Sequence, residues 1–287
     1  MTDRCAISCI IVSYNCLDSL QNCISSLSGQ TGIEHEIIVV DNASSDGTIE
    51  YLSGRDFKTI FSDLNLGYGR AVNLGARRAS GKYLFILNPD TVVGPRTLSE
   101  LYRFAELSEN VGLISPMLLH FDGSPQVTAR KLPGRMDFVF GRGSPLYKLG
   151  LTGESAAGYI APIDDKPMET PTVSATALLV NRELFATIGG FDPRFFLYLE
   201  DIDLCRRISE AGLKVMLLPT VTIGHAWRGS SGKKPLFAIY HHHRSVWRYF
   251  RKYYPGEWHY NLPLLIALCV GFMISSLLAV LRKRGSD

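Results

Sequence analysis

Three carboxylates fall within four residues at Glu200-Asp201-Ile202-Asp203, directly after the aromatic run Phe191-Asp192-Pro193-Arg194-Phe195-Phe196-Leu197-Tyr198-Leu199. A helix is predicted to begin there, and a helix N-terminus tolerates acids through its dipole. Capping accounts for one or two of the three. An acid beside so much aromatic surface loses hydration, and its raised pKa suits a general base. Another acid ends Asn88-Pro89-Asp90, where apolar Tyr83-Leu84-Phe85-Ile86-Leu87 delivers an oxygen ligand to a pocket floor. A divalent cation bridging a diphosphate wants such hard ligands and keeps open positions for phosphate and water. An Asx-Pro turn is the structural alternative. Asp41, closing Val39-Val40-Asp41-Asn42, can accept hydrogen bonds from a base or ribose, or satisfy its own turn. His225, in Ile223-Gly224-His225-Ala226-Trp227, can complete a metal site begun by one Asp or serve structurally.

Strand–helix alternation would bring these positions together. Ala6 to Tyr14 and Glu36 to Val40 are nearly continuous apolar runs, as in strands buried on both faces. Leu17, Leu20, Ile24 and Leu27 mark one face of an intervening helix. Asp46-Gly47-Thr48 opens a short helix with Asp46 as N-cap. A short strand near Thr59 to Phe61, a helix from Tyr68 to Ala79, a strand from Lys82 to Leu87, a helix from Arg96 to Leu107 and a strand near Val111 to Leu118 follow. This order predicts an α/β fold with a mostly parallel sheet covered on both faces and ligands at the carboxyl ends of the strands. From Asp122 to Pro171 the pattern dissolves into Gly and Pro, which predicts a functional loop or a mobile lid. Thr172 to Val180 reads as one strand, with helices near Arg182 and from Asp201 to Ala211.

The 287 residues are 46% hydrophobic and 20% charged, which excludes disorder and a polytopic membrane protein. A net charge of +3 is too near neutral for a general nucleic-acid binder. No Cys-x-x-Cys pair occurs among the six cysteines, which predicts a reducing compartment. The opening Met-Thr-Asp-Arg lacks the apolar stretch of a signal peptide, so the catalytic body is expected in the cytoplasm. Gly67-x-Gly69 lacks the third glycine of a dinucleotide fingerprint, and Gly229-Ser-Ser-Gly232-Lys233 lacks the spacer of a P-loop.

Charge is unevenly spread. Between Ala211 and Gly256 there is no Asp or Glu but there are eight Lys or Arg, which predicts a segment facing something negative. His241-His242-His243 invites a metal, yet with Arg244, Arg248, Arg251 and Lys252 beyond it a basic helix facing phosphates or lipid headgroups is the better expectation. Trp258 to Leu281 then runs 24 residues without a formal charge. Its core, 262–281, is long enough for a membrane-inserted helix.

The order of motifs resembles the inverting family 2 glycosyltransferases with the GT-A fold, especially their rhamnosyltransferase-like branch. The matching pieces are Ile-Ile-Val-Ser-Tyr-Asn (10–15), Val-Val-Asp-Asn-Ala-Ser-Ser-Asp-Gly-Thr (39–48), Asn-Leu-Gly-Tyr-Gly-Arg-Ala-Val-Asn-Leu-Gly (65–75), Leu-Asn-Pro-Asp (87–90), Gly-Gly-Phe-Asp (189–192) and Phe-Leu-Tyr-Leu-Glu-Asp-Ile-Asp-Leu-Cys-Arg-Arg (196–207). The resemblance implies that Ser13, Tyr14, Asn15 and Asp41 line a nucleotide pocket, and that Asn65, Gly67, Tyr68 and Asn73 close over nucleotide and donor sugar. It places Asn88 and Asp90 at the family's Asp-x-Asp motif, with Asp90 and His225 as ligands of Mg²⁺ or Mn²⁺. Asp201 becomes the catalytic base and Glu200 its support. Asn88 replaces the first acid of that motif, and Ser174-Ala175-Thr176-Ala177 stands where the branch has a Gly-Ala pair. The implied reaction moves a sugar from a nucleotide-diphosphate donor, dTDP-rhamnose first, to a polyprenyl-diphosphate-linked saccharide at the cytoplasmic face of the cell membrane. UDP-galactofuranose or UDP-N-acetylglucosamine as donor, and a non-catalytic binding subunit, are the alternatives. The expected organisation is a GT-A domain over 1–240 (donor half 1–118, mobile loop 119–171, acceptor half 172–240), a basic-aromatic interfacial segment over 241–261 and a membrane helix over 262–281.

Overall fold

The computed structural model describes residues 5–140, 159–160, 165–226 and 235–284. Strands β1 (Ile7–Ser13), β2 (His35–Asp41), β3 (Lys58–Phe61) and β4 (Tyr83–Leu87) pair in parallel in the order β3-β2-β1-β4. Helices α1 (Leu17–Ser28), α2 (Thr48–Leu52) and α3 (Tyr68–Ala76) connect them. Every residue of β1 is buried because the sheet is covered on both sides. Its side chains alternate between two cores. Ile10 and Val12 join Ile38, Val40 and Ile86 under α3, while Ile7, Cys9 and Ile11 join Val39, Phe85 and Leu87 under α1. Leu20, Ile24 and Leu27 of α1 are buried as their spacing predicts. Each such side chain contributes roughly 1.5–3 kcal/mol of burial.

The second half interleaves with the first. It comprises β5 (Thr91–Val93), α4 (Thr97–Leu107), β6 (Val111–Leu119), β7 (Ala129–Arg130), α5 (Arg135–Phe140), β8 (Tyr159–Ile160), β9 (Met168–Glu169), β10 (Thr172–Val173), β11 (Ala177–Asn181), α6 (Arg182–Thr187), α7 (Glu200–Glu210), β12 (Lys214–His225), α8 (Pro235–Tyr253) and α9 (Trp258–Arg284). The sheet continues β4-β11-β6-β12-β5. β11 runs antiparallel between β4 and β6, whereas β6 and β12 are parallel to each other and point the same way as β1. The carboxyl ends of β1, β2, β4, β6 and β12 therefore share one rim.

Three expectations need correction. Thr172 to Val180 is not one strand: the turn Ser174-Ala175-Thr176, pinned by a 2.9 Å hydroxyl contact from Ser174 to Thr176, separates β10 from β11. The start of the expected mobile stretch is docked, since Gln126, Thr128 and Ala129 are buried and the Gln126 N–H bonds to the Leu118 carbonyl at 2.8 Å. Residues 141–158 and 161–164 of that stretch lie outside the described residues, as do 227–234 of the basic segment. Thirdly, the basic segment does not turn all its charges outward. Lys252 reaches inward to Asp192 (2.8 Å) and Asp203. α8 starts at Pro235, so position 240 falls inside a helix.

Candidate active site

Glu200, buried, and Asp201, half-buried, open α7. The preceding residues, Tyr198 (φ 67°) and Leu199 (φ 62°), are both left-handed, a conformation that costs non-glycine residues energy and concentrates at functional sites. Ser245 of α8 steadies the turn by donating to the Leu197 carbonyl at 2.8 Å. Asp201 Oδ1 accepts from the Ile202 N–H at 2.8 Å and Oδ2 from the Ala175 N–H at 3.3 Å. Burial raises its pKa, and these hydrogen bonds offset part of the rise. Glu200 is pushed up to about 8, first by burial and then by the Asp201 charge. Its Oε2 is buried with no partner among the described residues. Both Asp201 oxygens accept N–H donors whereas Glu200 Oε2 has none, an asymmetry that favours the negative charge on Asp201 and the proton on Glu200.

The rim of strand ends carries the other acids. Asn88 extends β4, and its N–H bonds to the Thr176 carbonyl at 2.9 Å. The turn 174–176 thus touches both Asn88 and Asp201. Tyr68, at the start of α3, donates to the Ala175 carbonyl at 2.9 Å. Burial, then the charges of Glu200, Asp201 and Asp90, hold its hydroxyl protonated. Asp90 Oδ1 lies 3.4 Å from His225 Nε2 at the end of β12, and β5–β12 pairing sets Thr91 opposite His225. His225 Nδ1 is 2.7 Å from Gln126 Oε1, while Gln126 Nε2 donates to the His225 carbonyl at 2.7 Å. This assigns a proton to Nδ1 and leaves Nε2 facing Asp90. One carboxylate and one imidazole suit Mn²⁺ or Mg²⁺ as a two-residue site. Among the described residues no cluster of three or more His, Cys, Asp or Glu forms a protein-only cage. Gln126 has no sequence signal: it lies 99 residues from His225, inside the Gly- and Pro-rich stretch.

Asp41 sits at the end of β2 opposite Ser13 of β1, and both are fully buried. Its Oδ2 accepts from the Ser44 N–H at 3.0 Å, as an Asx turn would, but its Oδ1 is buried without a partner among the described residues. An unsatisfied buried carboxylate oxygen at the strand ends calls for a donor such as a base N–H. Asn15, left-handed at φ 51°, accepts from the Ser45 N–H at 2.7 Å and joins the turns after β1 and β2, with Tyr14 beside it. Asp46 accepts from Leu17 N–H at 3.1 Å and Thr48 Oγ1 at 2.6 Å, so it ties the start of α1 to the start of α2.

The side chains of two residues expected to close over a donor make hydrogen bonds within the protein. Asn73 accepts from the Phe191 N–H (2.9 Å) and donates to the Phe191 carbonyl (2.7 Å), which commits its side chain to the 190–191 turn. Asn65 Oδ1 accepts from Asn42 Nδ2 and the Gly67 N–H, both at 3.0 Å, and shapes its own loop. Gly67 (φ 82°) admits no side chain, because a Cβ there would lie 2.5 Å from the Phe196 carbonyl oxygen. The Tyr68 N–H bonds that same oxygen at 3.0 Å, which locks α3 to the aromatic run before Glu200. Asp203 is also structural: Arg207 (2.8 Å), Tyr253 (2.8 Å) and Lys252 all bind its carboxylate.

Residues 8–189 match the sequence profile of glycosyl transferase family 2. The chain is 29% identical to an N-acetylglucosaminyl-diphospho-decaprenol L-rhamnosyltransferase of Mycobacterium tuberculosis, over 99% of this chain and 97% of that protein. It is 26% identical to the rhamnosyltransferase WbbL of Escherichia coli K12, over 85% of this chain and 92% of the relative. In three dimensions it is similar to GalNAc-T7, crystallised with UDP, GalNAc and Mn²⁺ (TM-score 0.61, 18% identity, 78% of this chain), and to Staphylococcus aureus TarS (TM-score 0.54, 16% identity, 82% of this chain). The chain spans 44% and 38% of those two proteins, and at such identities the likeness speaks for the GT-A fold alone. With a profile match over most of its length and relatives aligned nearly end to end, the chain belongs to glycosyl transferase family 2 and is a glycosyltransferase of GT-A fold.

Proposed function

We propose that the protein is an inverting rhamnosyltransferase that takes the sugar from dTDP-rhamnose and passes it to a saccharide carried on a polyprenyl diphosphate, in bacterial cell-surface polysaccharide assembly. The observation that carries this choice of substrates is the alignment over 97–99% of both chains with the mycobacterial L-rhamnosyltransferase. The donor nucleotide lies over the ends of β1 and β2, with Asp41 Oδ1 accepting from the base. Asp90 and His225 would hold the divalent cation, which when bound would stabilise the charge that the departing nucleotide diphosphate gains. Asp201 takes the proton of the acceptor hydroxyl as its oxygen attacks the anomeric carbon from the face opposite the leaving group. One C–O bond forms as the bond to the diphosphate breaks, so configuration inverts without a covalent intermediate. Protonated Glu200 leaves the pair's single negative charge on Asp201, where the proton is received. Nucleotide sugars are cytoplasmic, so the site faces the cytoplasm, with the α8–α9 region against the membrane that carries the acceptor.

The test is direct. Purified protein with Mn²⁺, dTDP-rhamnose and an N-acetylglucosaminyl-diphospho-polyprenol is expected to yield the rhamnosylated lipid and dTDP, with the opposite anomeric configuration by NMR. Turnover of UDP-galactofuranose or UDP-N-acetylglucosamine in its place would overturn the donor assignment.

A further inference from the structure

We propose that α8 and α9 form a hairpin lying flat in the interface of an anionic bilayer, and that α9 does not cross it. This rests on the membrane attachment proposed above and specifies its form. By length and composition alone α9 could span, since Trp258–Leu277 is apolar enough. Its packing argues otherwise. Leu264 and Leu268 are buried in a cluster with Val246, Tyr249 and Phe250 of α8. Further along, the Phe272 ring lies 6.3 Å from that of Tyr240 and 6.0 Å from that of His243, also on α8. From Asn261 to Phe272 the two helices stay together for ~17 Å, more than half the thickness of a hydrocarbon core. The first turn of α9 is bolted to α5 as well, by Arg135 bonding Asn261 Oδ1 (3.0 Å) and Glu257 (2.9 Å). A spanning α9 would drag α8, with its arginines, into hydrocarbon that excludes them.

The opposite face of α9 fits an interface. Leu262, Ile266, Val270, Met273 and Leu277 recur at steps of four, four, three and four and are 43–61% exposed. On α8, exposed Arg244 lies over the Tyr240 ring (5.9 Å) and exposed Arg251 over the Trp247 ring (5.8 Å). Basic side chains alternating with aromatics at headgroup level, next to an apolar stripe, are the pattern of a helix lying in the plane of an anionic membrane. The complete lack of Asp and Glu from 211 to 256 makes the complementarity one-sided.

The experiment uses the full chain and vesicles of phosphatidylcholine with or without phosphatidylglycerol. Wild type is expected to sediment with the anionic vesicles, and Arg244→Glu/Arg251→Glu to bind about fivefold more weakly for each arginine changed, with turnover on a water-soluble acceptor retained. Unchanged binding by that variant would overturn the anionic-lipid contact. In cells carrying Ser286→Cys, an impermeant maleimide is expected to reach the new thiol only from the cytoplasmic side, and alkaline carbonate to release the protein. Labelling from the far side with resistance to carbonate would keep the membrane attachment and overturn the in-plane arrangement. Failure of the wild type to bind any vesicle would remove the attachment itself.

Discussion

Gln126 Oε1 stands 2.7 Å from His225 Nδ1, and this contact decides which imidazole nitrogen faces Asp90. A residue of the Gly- and Pro-rich stretch therefore sets the chemistry of one at the end of the longest strand. Replacing Gln126 with Met keeps the volume and removes both polar groups. We expect Mn²⁺ affinity, read by electron paramagnetic resonance without substrates, to fall about 10–100-fold while the circular dichroism spectrum stays that of the wild type. Unaltered Mn²⁺ binding would show that His225 needs no orienting partner.

Asp201→Asn keeps the shape of the carboxylate and abolishes its basicity. Turnover is expected to drop about 10²–10⁴-fold, with dTDP binding by calorimetry unchanged. Wild-type turnover in this variant would assign the base elsewhere.

Glu200 makes stability depend on pH. Its folded pKa, about 8, lies above the ordinary value of 4.5, so the folded state holds this proton more tightly than the unfolded chain does. The resulting stabilisation is complete below about pH 4.5, is lost as pH climbs to about 8 and stays lost beyond. Glu200→Gln removes this slope. The variant's melting temperature is expected to gain on wild type between pH 5 and 8 and hold its lead above that, by roughly 2–4 °C per kcal/mol relieved. A pH-independent difference would refute the shift.

Asp41→Asn tests the orphaned Oδ1. An amide in its place weakens acceptance of a base N–H, and donor affinity is expected to fall by about 1–3 kcal/mol, seen in the KM for the nucleotide sugar with kcat little changed. An effect on kcat alone would move Asp41 out of the donor site.

Lys252 joins α8 to α7 by pairing with the fully buried Asp203. Lys252→Met removes one of that carboxylate's two cationic partners, although Arg207 still covers Oδ2 and the Tyr253 hydroxyl Oδ1. A loss of up to about 3 kcal/mol is expected in urea unfolding. Adding Asp203→Asn is expected to restore much of it; full additivity of the two losses would mean that they do not interact.

The frame of this molecule is plain in its sequence because it depends on local repetition. Ile7 to Ser13 is apolar where both faces are covered, and Leu20, Ile24 and Leu27 recur at helical spacing and are buried. The acids at 41 and 90 are visible as polar residues abruptly ending apolar runs. What stays hidden depends on partners far apart. Nothing around Gln126 announces His225, and nothing around Asn73 tells whether its amide faces a ligand or the Phe191 backbone. Lys252 looks like surface charge until Asp192 and Asp203 are found beneath it. The Asp203–Arg207 pair was the accessible exception, since carboxylate and guanidinium four apart on a helix signal an ion pair.

The reversed course of β11 between β4 and β6 has a consequence for biosynthesis. As the polypeptide leaves the ribosome, β4 emerges more than ninety residues before the strand that covers its free side. Until 177–181 arrives, the nascent donor half carries a naked, apolar sheet border, the kind of surface that invites aggregation. Assembly of the central sheet is thus a late, long-range event, and holdase chaperones acting on the growing chain should engage it while that border is open.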